Sequence, residues 1–312
     1  MSFKRFDSED ILISSETISQ TCWSDSTASL STFNTSTSQR NSTSGDFYTD
    51  VYNIAATNAA AEVQFAVSYG HADGSGSVDF NSSVAGNSPS AVMYKQARIQ
   101  LLGTEESFFN INGSDAKSVY IISVERSRYK EKLLPGSLTL RIDGTDYTDD
   151  SQDQTSLTFS DTGRVYNIVA GAAGVTSNST AVGLFYPDAG MIILSDSLAT
   201  STNTSANTDG DNHYNFISTD LDSFTLRNEE TITSNYVFVR ARNSEFNYSN
   251  NPSNITGSGE LRHDIMVDTP QSYISAVGLY NDNNDLLAVA KLSRPLLKDF
   301  TKEALLRIKL DF

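Results

Sequence analysis

The chain has 312 residues, enough to bury a substantial core as one large or two ordinary domains. Its formal net charge of −16 disfavours a role in gripping nucleic acid or an anionic membrane, because both tasks need a basic surface. The sequence has no long apolar run and no apolar stretch near the charged residues that follow Met1. We therefore expect that the chain does not insert into a membrane. We also expect that it is synthesised in a cytoplasm. Cys22 is the only cysteine, which excludes an intramolecular disulfide, and we expect it to be buried.

The N-terminal stretch predicts an extended arm. Residues 15–46 are dense in Ser and Thr, and Trp23, Leu30 and Phe33 are their few large apolar side chains. A segment of this composition cannot supply a core of its own. We predict an extended arm over residues 1–50, with Trp23 and Phe33 available to contact a neighbouring subunit.

The next part of the chain, residues 51–145, predicts a β-rich domain with one helix. Ser88 and Pro89 are typical of a helix start, with a hydroxyl at the N-cap and proline at the first helical position. Gly103 is a natural stop, so the helix is predicted at about 89–102. Its apolar residues have helical spacing: Met93, Ala97 and Leu101, widened by Tyr94.

Residues 146–312 predict an antiparallel β-sandwich with acidic loops, because short apolar runs alternate with polar turns. The run 214–219 is read as one of these strands. Two apolar runs flank the turn residues 281–284 and predict a hairpin, whose second strand should end or kink at Pro295. The last run has apolar residues at every second position, as in a half-buried strand: Ala304, Leu306, Ile308, Leu310 and Phe312.

Together these patterns predict a mainly β protein, built of antiparallel β-sandwich or barrel domains with one short helix and an extended N-terminal arm. Two further stretches contain residue types that are typical of interfaces. The first is basic and would present one charged face if extended, either to an acidic partner or to solvent: Arg126, Arg128, Lys130 and Lys132. The second alternates an apolar face with an aromatic and arginine-rich face, which suits an interface hot spot or a core strand with arginines reaching solvent: Tyr236, Phe238, Arg240 and Arg242. Phe246 and Tyr248 add two aromatic residues in an Asn-rich turn.

Catalytic signatures are missing from the sequence. No Gly-x-Ser-x-Gly elbow accompanies the three histidines, which are expected in loops or at the surface, and no phosphate-binding loop or dinucleotide fingerprint occurs. The acidic pair Asp149 and Asp150 contains the groups needed for acid–base chemistry on a glycan, but neighbours on a strand point to opposite faces. Asp209 and Asp211 lie in a calcium-like turn that lacks the later EF-hand ligands. We therefore predict no catalytic, cofactor-binding or metal-binding residues, and no enzyme.

Four segments resemble virion structural proteins of contractile-tailed bacteriophages, above all those of the large myoviruses that infect cyanobacteria: 60–77, 118–142, 237–253 and 271–312. The resemblance implies a structural subunit of the tail or baseplate, located in the virion after assembly in the cytoplasm of a host bacterium. Other phage structural proteins and copies of the chain itself are the implied partners. Two alternatives remain: a neck, collar or capsid-associated component, or a receptor-binding or carbohydrate-binding module of the tail.

Overall fold

A computed structural model of the chain describes residues 4–40, 47–77, 88–153, 158–199 and 210–311. It confirms the predicted fold class, because the chain is mainly β and its sheets are antiparallel, including one that curls into half a barrel. The strands are β1 (Ile11–Thr21), β2 (Ser29–Leu30), β3 (Tyr48–Tyr52), β4 (Val63–His71), β5 (Phe109–Ile111), β6 (Ser114–Ala116), β7 (Ser118–Val124), β8 (Lys132–Leu133), β9 (Thr139–Ile142), β10 (Thr145–Asp149), β11 (Thr158–Ser160), β12 (Gly163–Ala172), β13 (Val175–Thr176), β14 (Gly183–Tyr186), β15 (Met191–Ser195), β16 (Leu221–Thr225), β17 (Arg227–Ala241), β18 (Gln271–Tyr280), β19 (Leu286–Asp299) and β20 (Ala304–Asp311). The α-helices are α1 (Pro89–Leu102), α2 (Asn212–Asn215) and α3 (Ile265–Asp268).

The chain divides into two compact units that do not follow the predicted domains. The large unit is Thr17–Glu230, and the small unit combines Met1–Glu16 with Thr231–Phe312. The predicted boundary between residues 145 and 146 falls inside β10, which pairs with both β9 and β12 of one sheet. The turn at Asp143 and Gly144 does not mark a domain boundary, because it joins β9 and β10, which are neighbours in the same sheet.

The large unit is built around one long antiparallel sheet with the order β2-β16-β9-β10-β12-β14-β15-β7-β4-β3. Its central strands are buried on both sides. In β7, Tyr120 and Ile122 belong to the main core, whereas Ile121 contacts a second apolar cluster that includes the helix residue Tyr94. The sheet therefore separates two apolar layers.

Helix α1 confirms the predicted start and end. Gly103 follows it in the left-handed region, with φ of 66°. The buried face is centred on Tyr94, Ala97 and Leu101, and Met93 is partly exposed. The Ser88 hydroxyl does not cap the helix, since it donates a hydrogen bond to the Gly74 carbonyl at 2.8 Å. The N-cap residue thereby fastens the helix to the loop that follows β4.

Residues 4–40 of the predicted arm are extended in part but they are not free. Strand β1 joins β17 in a sheet, and Leu30 in β2 is paired with Phe224 of β16. Cys22 is buried, as predicted, and burial raises the pKa of its thiol to about 12. Residues 41–46 lie outside the described residues.

Trp23 and Phe33, predicted at an interface, are part of the main core. Trp23 is 2% exposed, and its ring centroid lies 4.9 Å from Phe224 and 6.1 Å from Phe65. Phe33 is partly buried and meets Phe65 edge-on at 6.0 Å. A few large side chains are enough to fix a Ser/Thr-rich segment when the core of another segment leaves room for them.

The run 214–219, predicted as a strand, is helical instead. Helix α2 continues into a π-helical turn over Phe216–Asp220. Phe216 and Ile217 are adjacent and both lie in the main core, and Phe216 stacks on Tyr120 at 4.3 Å. Alternation along a strand would have sent one of the two side chains to the opposite face.

The small unit packs one face of a sheet against a two-stranded ribbon. The sheet has the order β1-β17-β20, and the ribbon is the hairpin β18–β19. Among the described residues, Val237, Leu279 and Ile308 form the buried centre of its apolar cluster, flanked by partly buried residues such as Val277 and Leu310. The predicted alternation of the last strand is seen from Ala304 to Asp311, and Phe312 lies outside the described residues.

The predicted hairpin is confirmed, and Pro295 interrupts its pairing. Ala276 is opposite Lys291, but Ile274 is opposite Leu296, so β19 contains several extra residues at this point. Proline has no amide hydrogen to donate to a ladder, which explains why the irregularity includes it. Strand β19 nevertheless continues to Asp299.

Replacement of Trp23 tests whether the N-terminal segment belongs to the core. Trp23→Ala is expected to lower the free energy of unfolding by roughly 3–5 kcal/mol, because it leaves a cavity between two phenylalanine rings. Trp23→Phe keeps an aromatic ring and removes the indole N–H, which has no hydrogen-bond partner among the described residues. Its loss is therefore expected to stay below about 2 kcal/mol. Urea unfolding of both variants measures this, and equal stability of Trp23→Ala and the unmodified chain would contradict the packing.

Candidate interface surfaces

The basic stretch predicted as one extended face is folded into a turn. Arg126–Arg128 form a 3-10 helix, and strand structure begins again only at Lys132. All four side chains have partners in the same unit. Arg126 lies over the Tyr129 ring, 4.5 Å from its centre. The other three form ion pairs: Arg128 with Glu62 at 2.9 Å, Lys130 with Glu230 at 2.6 Å, and Lys132 with Glu229 at 3.7 Å. The carboxylates opposing these charges come from the chain itself, so the predicted single basic face is not formed.

Strand β17 divides into a buried and an outward side as predicted. Val237 and Ala241 are buried, whereas Arg240 and Arg242 are exposed and Tyr236 is partly exposed. Antiparallel pairing with β20 adds three residues of that strand to the outward side. The cross-strand pairs are Tyr236 with Lys309, Phe238 with Arg307, and Arg240 with Leu305. We call these six residues the basic face.

The charges of the basic face are only partly compensated. Arg240 binds Glu303 at 2.8 Å, and Lys309 binds Asp311 at 3.0 Å. Arg307 has no ion pair within the described part of the chain, and its guanidinium lies 5.5 Å from the centre of the Tyr236 ring. Stacking on an aromatic ring holds the guanidinium in place while leaving its donors available.

The Asn-rich turn after β17 is held by a buried ammonium group. Lys298 in β19 is fully buried, and its Nζ donates hydrogen bonds to Asn247 Oδ1 at 2.7 Å, to the Asn243 carbonyl at 3.0 Å and to the Asp299 carbonyl at 2.9 Å. All three acceptors are neutral oxygens. The bonds tie the turn to the base of the ribbon.

The turn presents the two aromatic residues predicted there in different ways. Phe246 has a left-handed backbone, with φ of 54°, and its carbonyl accepts a hydrogen bond from the Ser272 hydroxyl. The Phe246 side chain is partly exposed, whereas Tyr248 is exposed. Lys298, which the sequence reasoning did not single out, therefore positions both residues through the backbone of the turn.

The ribbon has an outward side that the core does not cover. Pairing of Gly278 with Val289 places them on the side opposite the inward-facing Leu279 and Ala288. A side chain at Gly278 would contact the Tyr280 ring, so that ring lies against the glycine. Leu287 is 68% exposed and Val289 is 61% exposed. Leu287 is the extra residue at a β-bulge, since Leu279 is opposite Ala288 and Tyr280 is opposite Leu286. We call the outward side together with this exposed bulge residue the ribbon face: Gly278, Tyr280, Leu287 and Val289.

Large exposed apolar side chains are concentrated in the small unit. Among the described residues, 14 of the 22 that are exposed belong to it, although it contains less than a third of the chain. Besides Tyr280, Leu287 and Val289 of the ribbon face they are Ile11, Leu12, Ile13, Tyr248, Ile265, Val267, Tyr273, Leu286, Leu296, Phe300 and Leu305. Surfaces of this kind usually mark sites of interaction.

The acidic pairs considered for catalysis have structural partners. Asp149 is fully buried and accepts a hydrogen bond from the Gly136 amide at 2.7 Å, whereas Asp150 binds the backbone and side-chain amides of Asn167. Burial raises the pKa of the Asp149 carboxyl, and the hydrogen bond from Gly136 offsets this only in part. Within the described ranges, no group of three or more His, Cys, Asp and Glu side chains is arranged to hold a metal ion.

Histidine placement differs from the expectation at one position. His213 is 2% exposed, and its Nε2 lies 3.3 Å from the Gln39 carbonyl. Helix α2 carries it into the interior together with Asn212.

Among the described residues, no helix has both the length and the apolar character needed to cross a membrane.

Comparison with protein-family models, with curated protein sequences and with solved structures finds no match for this chain. The candidate surfaces therefore rest on the geometry described above.

Replacement of Lys298 tests its role in holding the Asn-rich turn. Lys298→Met keeps the length of the side chain but removes the donor to the Asn247 Oδ1 and to the Asp299 carbonyl, so the free energy of unfolding is expected to fall by about 1–3 kcal/mol. Hydrogen exchange over residues 243–248 should become faster. The matched control is Lys302→Met. The Lys302 side chain is exposed, and its ammonium group makes only a long ion pair with Asp299, at 3.8 Å. The control is expected to stay within about 0.5 kcal/mol of the unmodified chain, and equal effects of the two variants would contradict the assignment.

The buried Asp149 carboxyl predicts a pH dependence of stability. Because its pKa is raised in the folded state, the group favours folding when protonated, and this contribution is lost as pH rises through the folded-state pKa. Asp149→Asn is therefore expected to be more stable than the unmodified chain at neutral pH. The difference should shrink as the pH is lowered. Urea unfolding across a pH series measures it, and a difference that grows toward acid would contradict the sign.

Proposed function

We propose that the chain is a non-enzymatic structural subunit of a bacteriophage particle, in its contractile tail or baseplate, and that it holds neighbouring subunits in register through its small unit. Two independent lines support the proposal. One is the resemblance of four segments to virion structural proteins, and two of these segments, 237–253 and 271–312, lie in the small unit. The other is the surface of that unit.

The ribbon face is the observation that carries the proposal. Burying a large aliphatic side chain such as Leu287 or Val289 is worth about 1.5–3 kcal/mol relative to leaving it exposed. Among the described residues, the apolar cluster of the small unit contains three buried side chains, and yet Val289 is exposed at a paired position of β19 and Leu287 is exposed at the adjacent bulge. A partner subunit that covers the ribbon face would gain this burial without having to order the ribbon first.

The position in a particle is tested by immunoelectron microscopy. Antibody raised against the full chain is applied to particles purified from a culture that produces the virus encoding it. Labelling of the tail or baseplate is expected. Labelling confined to the neck or the capsid would assign the chain to those parts instead, and purified particles that lack the chain would overturn the proposal.

The ribbon face is tested by a polar double variant of similar shape, Leu287→Asn with Val289→Thr. We expect the variant to fold with an unchanged urea midpoint but to be depleted from purified particles at least about tenfold, which corresponds to the loss of about 1.4 kcal/mol of binding. The matched control is Val92→Thr with Ile99→Asn on α1, where the two aliphatic side chains are 54% and 46% exposed in the large unit. Normal incorporation of the ribbon variant would remove the ribbon face from the proposal.

A further inference from the structure

The two units differ strongly in charge. The large unit contains 25 Asp and Glu residues and 11 Lys and Arg residues, which gives a formal charge of −14. The small unit contains 13 acidic and 11 basic residues, which gives −2. Nearly all the excess negative charge therefore belongs to one unit, and a cationic surface on the other unit has a complementary target in every copy of the chain.

The basic face provides that cationic surface. Its three basic residues come from adjacent strands, and strand pairing fixes their positions. Arg307 is the uncompensated charge at its centre, next to the exposed apolar side chain of Leu305. Arginine together with aromatic and apolar neighbours is the combination enriched in interface hot spots.

The same charges act against symmetric pairing of two copies. Strand β20 is at the end of the described order β1-β17-β20, so its outer edge faces no further strand of that sheet. Antiparallel pairing of two β20 strands about Arg307 would place the two Arg307 side chains opposite each other. Like charges directly opposite each other destabilise a strand pair, and charged edge residues are a known protection against such pairing.

We propose that the basic face of one copy docks on the acidic large unit of a second copy, in a head-to-tail contact. This inference rests on the proposed structural function and adds the partner and the orientation. A contact between two different surfaces is not self-limiting, because each bound copy offers a further face, so it produces a ring or a filament. The attraction is electrostatic, and it therefore weakens as salt is added.

Salt dependence gives the first test. The full-length chain is analysed by sedimentation velocity at about 10 mM and about 1 M ionic strength, where the Debye length is about 30 Å and about 3 Å. Association is expected at low salt and its loss at high salt. A chain that stays monomeric in both conditions, or that associates equally in both, overturns the inference.

Charge reversal gives the second test. Arg307→Glu with Lys309→Glu is expected to abolish association at low salt. The matched control, Lys291→Glu with Arg294→Glu, has the same change of charge at exposed positions of β19 in the same unit, and it is expected to associate like the unmodified chain. If the charge-reversed variant does not fold, Arg307→Gln with Lys309→Gln replaces it in the same experiment. This variant removes the two positive charges without adding carboxylates, and it is also expected not to associate. Association of either face variant at the unmodified level overturns the inference.

Mixing distinguishes a head-to-tail contact from a symmetric one. A copy with the reversed face retains its acidic unit, so it accepts an unmodified copy but cannot dock on another. An equimolar mixture is expected to form mixed species whose mean size is at most half that of the unmodified assemblies. Failure to form any mixed species would show a symmetric contact and overturn the inference. A monomeric chain that antibody nevertheless detects in the tail or baseplate would overturn this inference and leave the proposed function standing.

Discussion

The small unit exposes two outer faces because its sheet and its ribbon can each bury only one face against the other. A ribbon of two strands has two faces, and only one of them can pack against the sheet formed by β1, β17 and β20. The sheet is in the same position, because the ribbon covers one of its faces and leaves the other outward. Small assemblies of strands bury a low fraction of their surface, so the sequence must either make the outer faces polar or supply something to cover them. In this chain the ribbon remains apolar outside, with Leu287 and Val289 exposed.

The two outer surfaces differ in the physics of their contacts. Apolar burial at the ribbon face is proportional to area and has no preferred direction, so it favours contact without fixing its geometry. The basic face adds direction, since Arg307 and Lys309 attract carboxylates at fixed points and repel other cations. Neither surface depends on a loop, because residues of paired strands define both. This is the rigidity that a subunit needs if its neighbours are to be held at a constant spacing.

Periodic patterns were predictable from the sequence, and partners distant in sequence were not. The alternation of β20, the hairpin at 281–284 and helix α1 depend on residues close together in the chain, and all three are confirmed. Trp23 was assigned to a free arm because its partner Phe224 is about two hundred residues away and nothing local indicates their contact. The role of Lys298 was hidden for the same reason, since two of its three acceptors, Asn243 and Asn247, belong to the turn after β17 and are 55 and 51 residues away.

Local charge was equally misleading where the chain bends. Arg126, Arg128, Lys130 and Lys132 alternate in sequence, but the 3-10 helix at Arg126–Arg128 removes the period of two that an extended strand would have. Arg128 and Lys130 then form ion pairs with Glu62, which precedes them in the chain, and with Glu230, which follows them. The outward side of β17 was identified correctly because the alternation of Val237, Val239 and Ala241 is undisturbed. What the sequence did not reveal there was β20 beside it, which contributes Arg307.

The small unit combines the two ends of the chain, so it can be completed only at the end of synthesis. Residues 1–16 emerge first and residues 17–230, which contain all the strands of the large sheet, follow them. Strand β17 can pair with β20 only after another 70 or so residues have been added, which takes roughly 4–14 s at ordinary rates of protein synthesis. Until then the basic face does not exist, because three of its six residues belong to β20. A nascent chain therefore cannot dock through its own basic face before its last strand is made, and this timing comes from the order of the strands alone.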